Sequence, residues 1–255
     1  MKRQFLLFLP MVLIISTCEK KDDGPNPGDI VSIPDPAFLS ALINEGIDTN
    51  GDSLISYAEA EAVDTLDVQG DRPEMFEIIS YHISDMTGIQ AFINLEALYC
   101  GDNDFGELDV SKNTKLKSLE CYGYCTFGVH SGGIMESLDI SNNILLEHLN
   151  CTCQKIDSLN VTKNTELKEL YCGGNSFTYL DISTNTDLHT LSLHAAVDLN
   201  TLNISNNTKL TYIDLSWTKG LNEVCVWTLP FPPGGVSIDM GGECPNVYFT
   251  TDCSK

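Results

Sequence analysis

The chain has 255 residues, 42% of them hydrophobic, enough to bury a core and too apolar for a disordered polymer. Its formal charge of -22 would repel phosphate backbones, which excludes nucleic acid as a partner, while a dense acidic surface favours calcium and solubility. Beyond an apolar run at the start, no segment reads as a transmembrane helix.

Lys2 and Arg3 followed by nearly unbroken apolar residues from Phe5 to Ile15 have the charged start and short apolar stretch of a secretory signal, residues 1–17. Ile15-Ser16-Thr17-Cys18 resembles a bacterial lipobox, whose cysteine is acylated after cleavage and anchors the protein to a membrane. Thr17 departs from it, since Gly, Ala or Ser usually stands there. Glu19-Lys20-Lys21-Asp22-Asp23 resembles the lysine-and-acid tag of bacteroidete lipoproteins sent to the outer cell surface. These resemblances imply lipid anchoring at Cys18, an outer-membrane location and surface display. Residues 18–33, with Gly24-Pro25-Asn26-Pro27-Gly28, read as a flexible tether.

Residues 34–62 read as an EF-hand-like cap. Asp35-Pro36 is an N-cap with proline at the first helical position, and Phe38, Leu39, Leu42 and Ile43 fall on one helical face before Gly46. The next twelve-residue stretch matches an EF-hand loop: Asp48, Asn50 and Asp52 at places 1, 3 and 5, the Leu54 carbonyl at 7, Ser56 at 9 and Glu59 at 12. Hard oxygens at that spacing suit calcium, and Ile55 at place 8 is the apolar anchor. Ser53 stands where glycine usually makes the sharp turn, which should lower affinity. A single unpaired loop followed by a short helix from Tyr57 to about Ala62 implies a structural calcium site, as in dockerin-like or degenerate EF-hands.

From residue 63 to 228 the chain repeats. An L-x-x-L-x-C element begins at Leu95, Leu116, Leu146, Leu167, Leu188 and Leu210, at steps of 21, 30, 21, 21 and 22 residues, and an L-D-V/I-S-x-N-T element follows each. Units of that size cannot bury their apolar side chains alone and stack into a solenoid. The second element forms its own frame from Phe105, Met135, Ile156, Phe177 and Leu199, with Asn113, Asn143, Asn164, Asn185 and Asn207 in one column. Such asparagines would bond neighbouring turns. In the cysteine frame a matching asparagine occurs only at Asn103 and Asn175, so by completeness the L-D-V/I-S frame is the better formed.

Leu98-Tyr99-Cys100, Leu119-Glu120-Cys121, Leu149-Asn150-Cys151 and Leu170-Tyr171-Cys172 resemble the cysteine-ladder leucine-rich repeats of internalin J-like surface proteins and their bacteroidete relatives. The Ile83-to-Ile89 phrase after an EF-hand-like segment fits the same resemblance. It implies a β-rich leucine-rich-repeat solenoid with 20–22-residue repeats and a short helical N-terminal cap, in which the cysteine frame is the concave strand. That implication conflicts with the completeness argument, and the sequence leaves the face open.

Cys100, Cys121, Cys151 and Cys172 share a column continued by Leu193 and Leu215, which marks them as packing thiols. Cys125 and Cys153 could pair between turns, because export permits oxidation. A zinc site among Cys121, Cys125, Cys151 and Cys153 lacks the usual C-x-x-C spacing. Residues 229–255 read as a C-terminal cap tied down by Cys225 and Cys253, with Cys244 left over or the alternative partner.

Positions that vary between repeats are the recognition candidates: Tyr99, Glu120, His148, Tyr171, Tyr212 and Asp214, beside the inward Leu and Cys. Tyrosines among acids and amides suit a protein or glycan partner. No nucleophile elbow, phosphate loop or dinucleotide fingerprint is present, so the chain reads as a binding module and not an enzyme. A recruiting subunit of a glycan-degrading system and a structural envelope spacer are the alternatives.

Overall fold

The computed structural model describes residues 25–70, 82–126, 129–130, 134–242 and 247–253. The leader, Cys18 and the acidic tag lie outside them. Asp35 caps α1 (Pro36–Asn44) through Oδ1, which accepts from the Ala37 and Phe38 N–H groups, and the helix buries Phe38 and Leu42. Gly46, at φ 76°, turns the chain out of it. α2 (Tyr57–Glu61) starts on a capping box between Ser56 and Glu59.

The tether ends earlier than residue 33. Val31 N–H donates to the Ile55 carbonyl, Tyr57 and Ala58 N–H donate to Asp29 and Pro27, and Val31 is buried. Val31 and Ile33, two residues apart, turn to the core and let this strip pair with the loop. The other oxygen of Asp35 joins cap to repeats: Oδ2 accepts from Ser84 N–H and Oγ–H and from Asp85 N–H. Burial alone would raise this carboxyl, but the hydrogen bonds from Ser84, Phe38 and Ala37 outweigh it and hold it below its ordinary value. The Ile83-to-Ile89 phrase is thus the joint between helical cap and solenoid.

Among the described residues, thirteen short strands follow in chain order. They are β1 (Thr65–Asp67), β2 (Ala97–Tyr99), β3 (Ser118–Glu120), β4 (Cys125–Thr126), β5 (Val129–His130), β6 (His148–Asn150) and β7 (Glu169–Tyr171), then β8 (Thr190–Ser192), β9 (Thr201–Asn203), β10 (Tyr212–Asp214), β11 (Glu223–Cys225), β12 (Ser237–Asp239) and β13 (Tyr248–Thr250). Eight of them form one parallel sheet in the order β1-β2-β3-β6-β7-β8-β10-β12. Leu98, Leu119, Leu149, Leu170, Leu191 and Ile213 stand in register along it. The continuous sheet is therefore built from the cysteine frame, which reverses the completeness argument. Among the described residues the L-D-V/I-S frame pairs as strands only at its C-terminal end, in β13-β11-β9, apart from a bridge between Ser137 and Ser158.

The asparagine column does the stacking. Asn113, Asn143, Asn164, Asn185 and Asn207 are all fully buried. Each donates through Nδ2 to two carbonyls of the preceding turn; Asn164 reaches Ile140 at 3.1 Å and Asn143 at 2.9 Å. In the cysteine frame Asn103 and Asn175 do the same work, and Gln154 fills the gap between them, accepting from Met135 N–H and donating to the Cys121 carbonyl. One extra methylene hides that equivalence in the sequence.

Cys100, Cys121, Cys151, Cys172, Leu193 and Leu215 are all fully buried. Burial pushes the Cys151 thiol up to about 12 and raises the other three as well. These are inert core groups, and in the native protein they should resist alkylation until unfolding exposes them. Cys151→Ala should cost on the order of 1 kcal/mol through a small cavity, read from the denaturation midpoint. Rapid labelling of the folded chain would contradict the packing role.

The C-terminal segment does more than cover the end. β12 extends the long sheet beyond β10 and β13 extends the short one beyond β11, so the coil geometry runs on past residue 228. Cys225 and Cys253 form a disulfide with Cα atoms 5.6 Å apart. Cys153 is disulfide-bonded too, while the side chain of Cys125 and all of Cys244 lie outside the described residues.

Candidate functional site

In each strand of the long sheet the central residue points into the core, and the first and third point to the open face. Tyr99, Glu120, His148, Tyr171, Tyr212 and Asp214 all lie on that one face. At its centre the His148 ring is held between two carboxylates. Nδ1 is 3.0 Å from Glu169 Oε2, and Nε2 is 3.4 Å from Glu120 Oε1 without the alignment of a hydrogen bond. Tyr171 tilts against the ring at 5.5 Å between centroids, and its phenol donates to Glu169 at 3.4 Å. Burial first, and then the Glu169 carboxylate, raise the Tyr171 phenol above its ordinary value. Farther along, Asp214 accepts from the Ser192 hydroxyl at 3.1 Å and from Ser216 N–H. Tyr212, exposed beside it, is raised by burial and by Asp214 and Asp239.

Charge is sorted between this face and the flank beside it. Lys117, Lys168 and Lys209 each meet an acid one turn back, Glu96, Glu147 and Asp187. All six are about half-exposed, so the pairs contribute little to stability. No Lys or Arg occupies the outward positions of the eight strands, which carry Asp67, Glu120, Glu169, Asp214 and Asp239.

The uniform acid column of the other frame is structural. Asp109, Asp139, Asn160, Asp181 and Asn203 each accept the N–H two residues on, from Ser111, Ser141, Thr162, Ser183 and Ser205. These side chains close local turns and are not free for a ligand.

The loop at 48–59 is wound on its own carboxylates. Asp48 accepts from the N–H groups of Gly51, Asp52 and Ser53, Asn50 from Asp52, and Asp52 from Leu54. Ser53 makes the sharp turn at φ 64° despite its side chain, and Ile55 is fully buried as the anchor. Glu59 is buried and closes the loop: one oxygen accepts from Thr49 N–H and Oγ–H, the other from Ser56 N–H and Oγ–H. The Ser56 N–H contributes most to holding its carboxyl at about 2, against an opposing effect of burial, with Thr49 adding to it. The donor set is hard oxygen throughout, the chemistry calcium takes. Among the described residues no three His, Cys, Asp or Glu side chains converge as a metal site, and no helix is long and apolar enough to cross a membrane.

Neither a protein-family profile nor a curated protein matches the chain. Solved structures do. Internalin C2 from Listeria monocytogenes is similar over 85% of this chain and 94% of its own, with a TM-score of 0.57 at 18% identity. The chain is a leucine-rich-repeat solenoid. The internalin InlF of the same bacterium is similar over 86% of this chain and 71% of its own (TM-score 0.50, 17% identity). A leucine-rich-repeat protein of Leptospira interrogans, LIC12759, is similar over 77% of this chain and 53% of its own (TM-score 0.50, 15% identity). At these identities the likeness concerns the repeats and their stacking, and this leucine-rich-repeat chain spans only about half of the Leptospira protein.

Proposed function

We propose that this chain is a non-enzymatic binding module displayed on a bacterial surface, whose leucine-rich repeats recognise a protein or glycan partner across the long sheet. The observation that carries the reading is the sorting of side chains. Residues that hold the stack are uniform and bonded inward, whereas Tyr99, Glu120, His148, Tyr171, Tyr212 and Asp214 vary from strand to strand on one exposed face. Variation on a rigid scaffold is what recognition requires. Binding to protein and glycan arrays, with and without calcium, tests it; a chain that captures neither class is no binding module.

Two parts of the reading rest on sequence. Cys18 would carry the lipid that holds the protein at the outer membrane, with residues 19–26 as spacer. Fatty-acid labelling of wild type and not of Cys18→Ala is the expected result, and labelling that survives the substitution would remove the anchor. Asp48, Asn50, Asp52, the Leu54 carbonyl, Ser56 and Glu59 would hold calcium, which would supply a fixed positive charge to a loop now wound on its own N–H groups.

A further inference from the structure

The two ends of the solenoid are closed differently. At the N-terminal end Leu66 of β1 is buried in one core with Phe38 and Leu42 of the helical cap. At the other end β12 is the last strand of the long sheet and β13 the last of the short one, and among the described residues no strand pairs beyond either. Their inward residues are uncovered to match. Ile213 and Val224 are fully buried, whereas Ile238 and Phe249, in register with them one turn on, are only partly so. The backbone is open on the same side. Ser237 N–H donates to the Thr211 carbonyl and Leu215 N–H to the Asp239 carbonyl, so the residues on either side of Ile238 bond back to the preceding turn. Alternate residues of a ladder point their N–H and carbonyl to opposite sides, which turns both groups of Ile238 outward. Phe249 stands the same way between Tyr248, whose N–H donates to the Asn222 carbonyl, and Thr250, whose carbonyl accepts from Val226 N–H. The end is firm: the Cys225–Cys253 disulfide ties β13 to β11, and the Phe231 ring packs on Trp227 and Phe249, each at 5.2 Å between centroids.

We propose that this open end docks against the same end of a second copy, about a two-fold axis. A single extended peptide could satisfy one edge. A partner for the whole end has to present two edge strands at the spacing of one coil, with apolar residues between them, and the same end of another copy does so. The helical cap leaves the opposite end without a matching core, so stacking head to tail finds no counterpart. A two-fold along the sheet normal sets β12 antiparallel to its copy, with Ile238 facing Ile238 of the partner subunit. Directly opposed residues of an antiparallel pair exchange both N–H···O bonds, and those are the two groups Ile238 turns outward. Phe249 meets its counterpart in the same way, and Val236, Ile238, Val247 and Phe249 lose their remaining exposure to water. The pairing is also complementary in charge. Asp239 falls opposite Ser237 of the partner subunit, so a hydroxyl and not a second carboxylate meets each acid. With the axis along the sheet normal, the two open faces point the same way and form one continuous surface, on which a partner with repeated epitopes would be held twice. The inference goes beyond the binding-module reading and holds whatever the face recognises.

The test is sedimentation equilibrium of the folded chain across concentration and salt. The mass should rise from that of the monomer to about twice that value and stop, because a two-fold contact closes on itself. Association should strengthen as salt rises, since two copies of formal charge -22 repel each other. Ser237 is exposed, so its variants keep the fold. Ser237→Glu sets like charges opposite each other twice per dimer and should weaken association about fivefold or more, whereas Ser237→Lys should tighten it. Thr190→Glu, at the same strand position in β8, adds the same charge away from the end and should change association by less than about twofold. Ile238→Pro, tolerated on an edge strand but lacking the N–H, should weaken it about tenfold or more. A chain that stays monomeric at every concentration and salt would overturn the proposal, as would equal loss in Ser237→Glu and Thr190→Glu. So would a dimer indifferent to both Ser237→Glu and Ile238→Pro, or growth past the dimer. None of these outcomes bears on the recognition face, which is read from array binding.

Discussion

Replacing Asn164 with alanine is expected to lower the unfolding free energy by about 3 kcal/mol, a large part of the ~5–15 kcal/mol typical of a whole domain. Nδ2 of Asn164 is the second donor to the Ile140 and Asn143 carbonyls, which also accept the Asn143 and Leu146 N–H groups, so alanine removes two buried hydrogen bonds and leaves each carbonyl with one. Each lost hydrogen bond contributes about 0.5–1.5 kcal/mol, and the small buried cavity adds to it. Lys163→Ala next door, on the exposed surface, should change stability by less than about 0.5 kcal/mol. Urea unfolding of the two variants measures the difference, and equal midpoints would mean that the column does not hold the turns together. Asn164→Asp adds a sign. A carboxyl buried at that site has its pKa raised above the unfolded value, so the folded state favours the protonated acid, which can donate one bond. Its deficit should shrink as pH falls toward the unfolded carboxyl range near ~3.9 and grow again as pH rises.

Removing Glu59 should have the second largest effect. In the absence of calcium, Glu59→Ala leaves the Thr49 and Ser56 N–H groups without the carboxylate that gathers them, at a cost on the order of 2–3 kcal/mol. The same geometry gives a pH dependence. The folded carboxyl sits at about 2, below its ordinary 4.5, so its stabilisation is present above 4.5 and is lost as pH falls from there through about 2. Wild type should show this acid limb and Glu59→Ala should lack it. Calcium acts on the same residue by a different route, because a ligand specific to the folded state adds RT ln(1 + [L]/Kd). Chelation should lower the melting temperature of calcium-loaded wild type and leave Glu59→Ala unmoved. A chelator without effect on wild type would remove calcium from the account while leaving the hydrogen-bonded closure intact.

The repeat was fully legible in the sequence, and so were its packing thiols, because a column that accepts both cysteine and leucine has to be core. The sheet-bearing frame was not, for a reason visible in the outward residues. From Asp109 to Asn203 each turn of the L-D-V/I-S frame puts Asp or Asn after its inward apolar residue, a residue that bonds its own backbone two places on and is depleted in strands, whereas β11 and β13 carry Cys225 and Thr250 there. A complete asparagine column marks well-made turns, not strands. At the far end β9, which still carries Asn203, pairs with β11 and β13, where Val224 and Phe249 stand in register. The joint between Asp35 and Ser84 spans 49 residues and carries no local signal. Nor did Gln154 announce itself as a member of an asparagine column.

If the face of the long sheet is the recognition surface, its outward tyrosines carry the binding. The most direct measurement is the affinity of a partner recovered from the arrays for wild type, for Tyr99→Ser/Tyr171→Ser/Tyr212→Ser on the face, and for Tyr179→Ser, which is exposed in the other frame. Binding should fall by about tenfold or more in the face variant, with folding unchanged, and stay within about twofold in Tyr179→Ser. Full affinity in the face variant, or a loss confined to Tyr179→Ser, would place recognition elsewhere on the molecule and contradict the account.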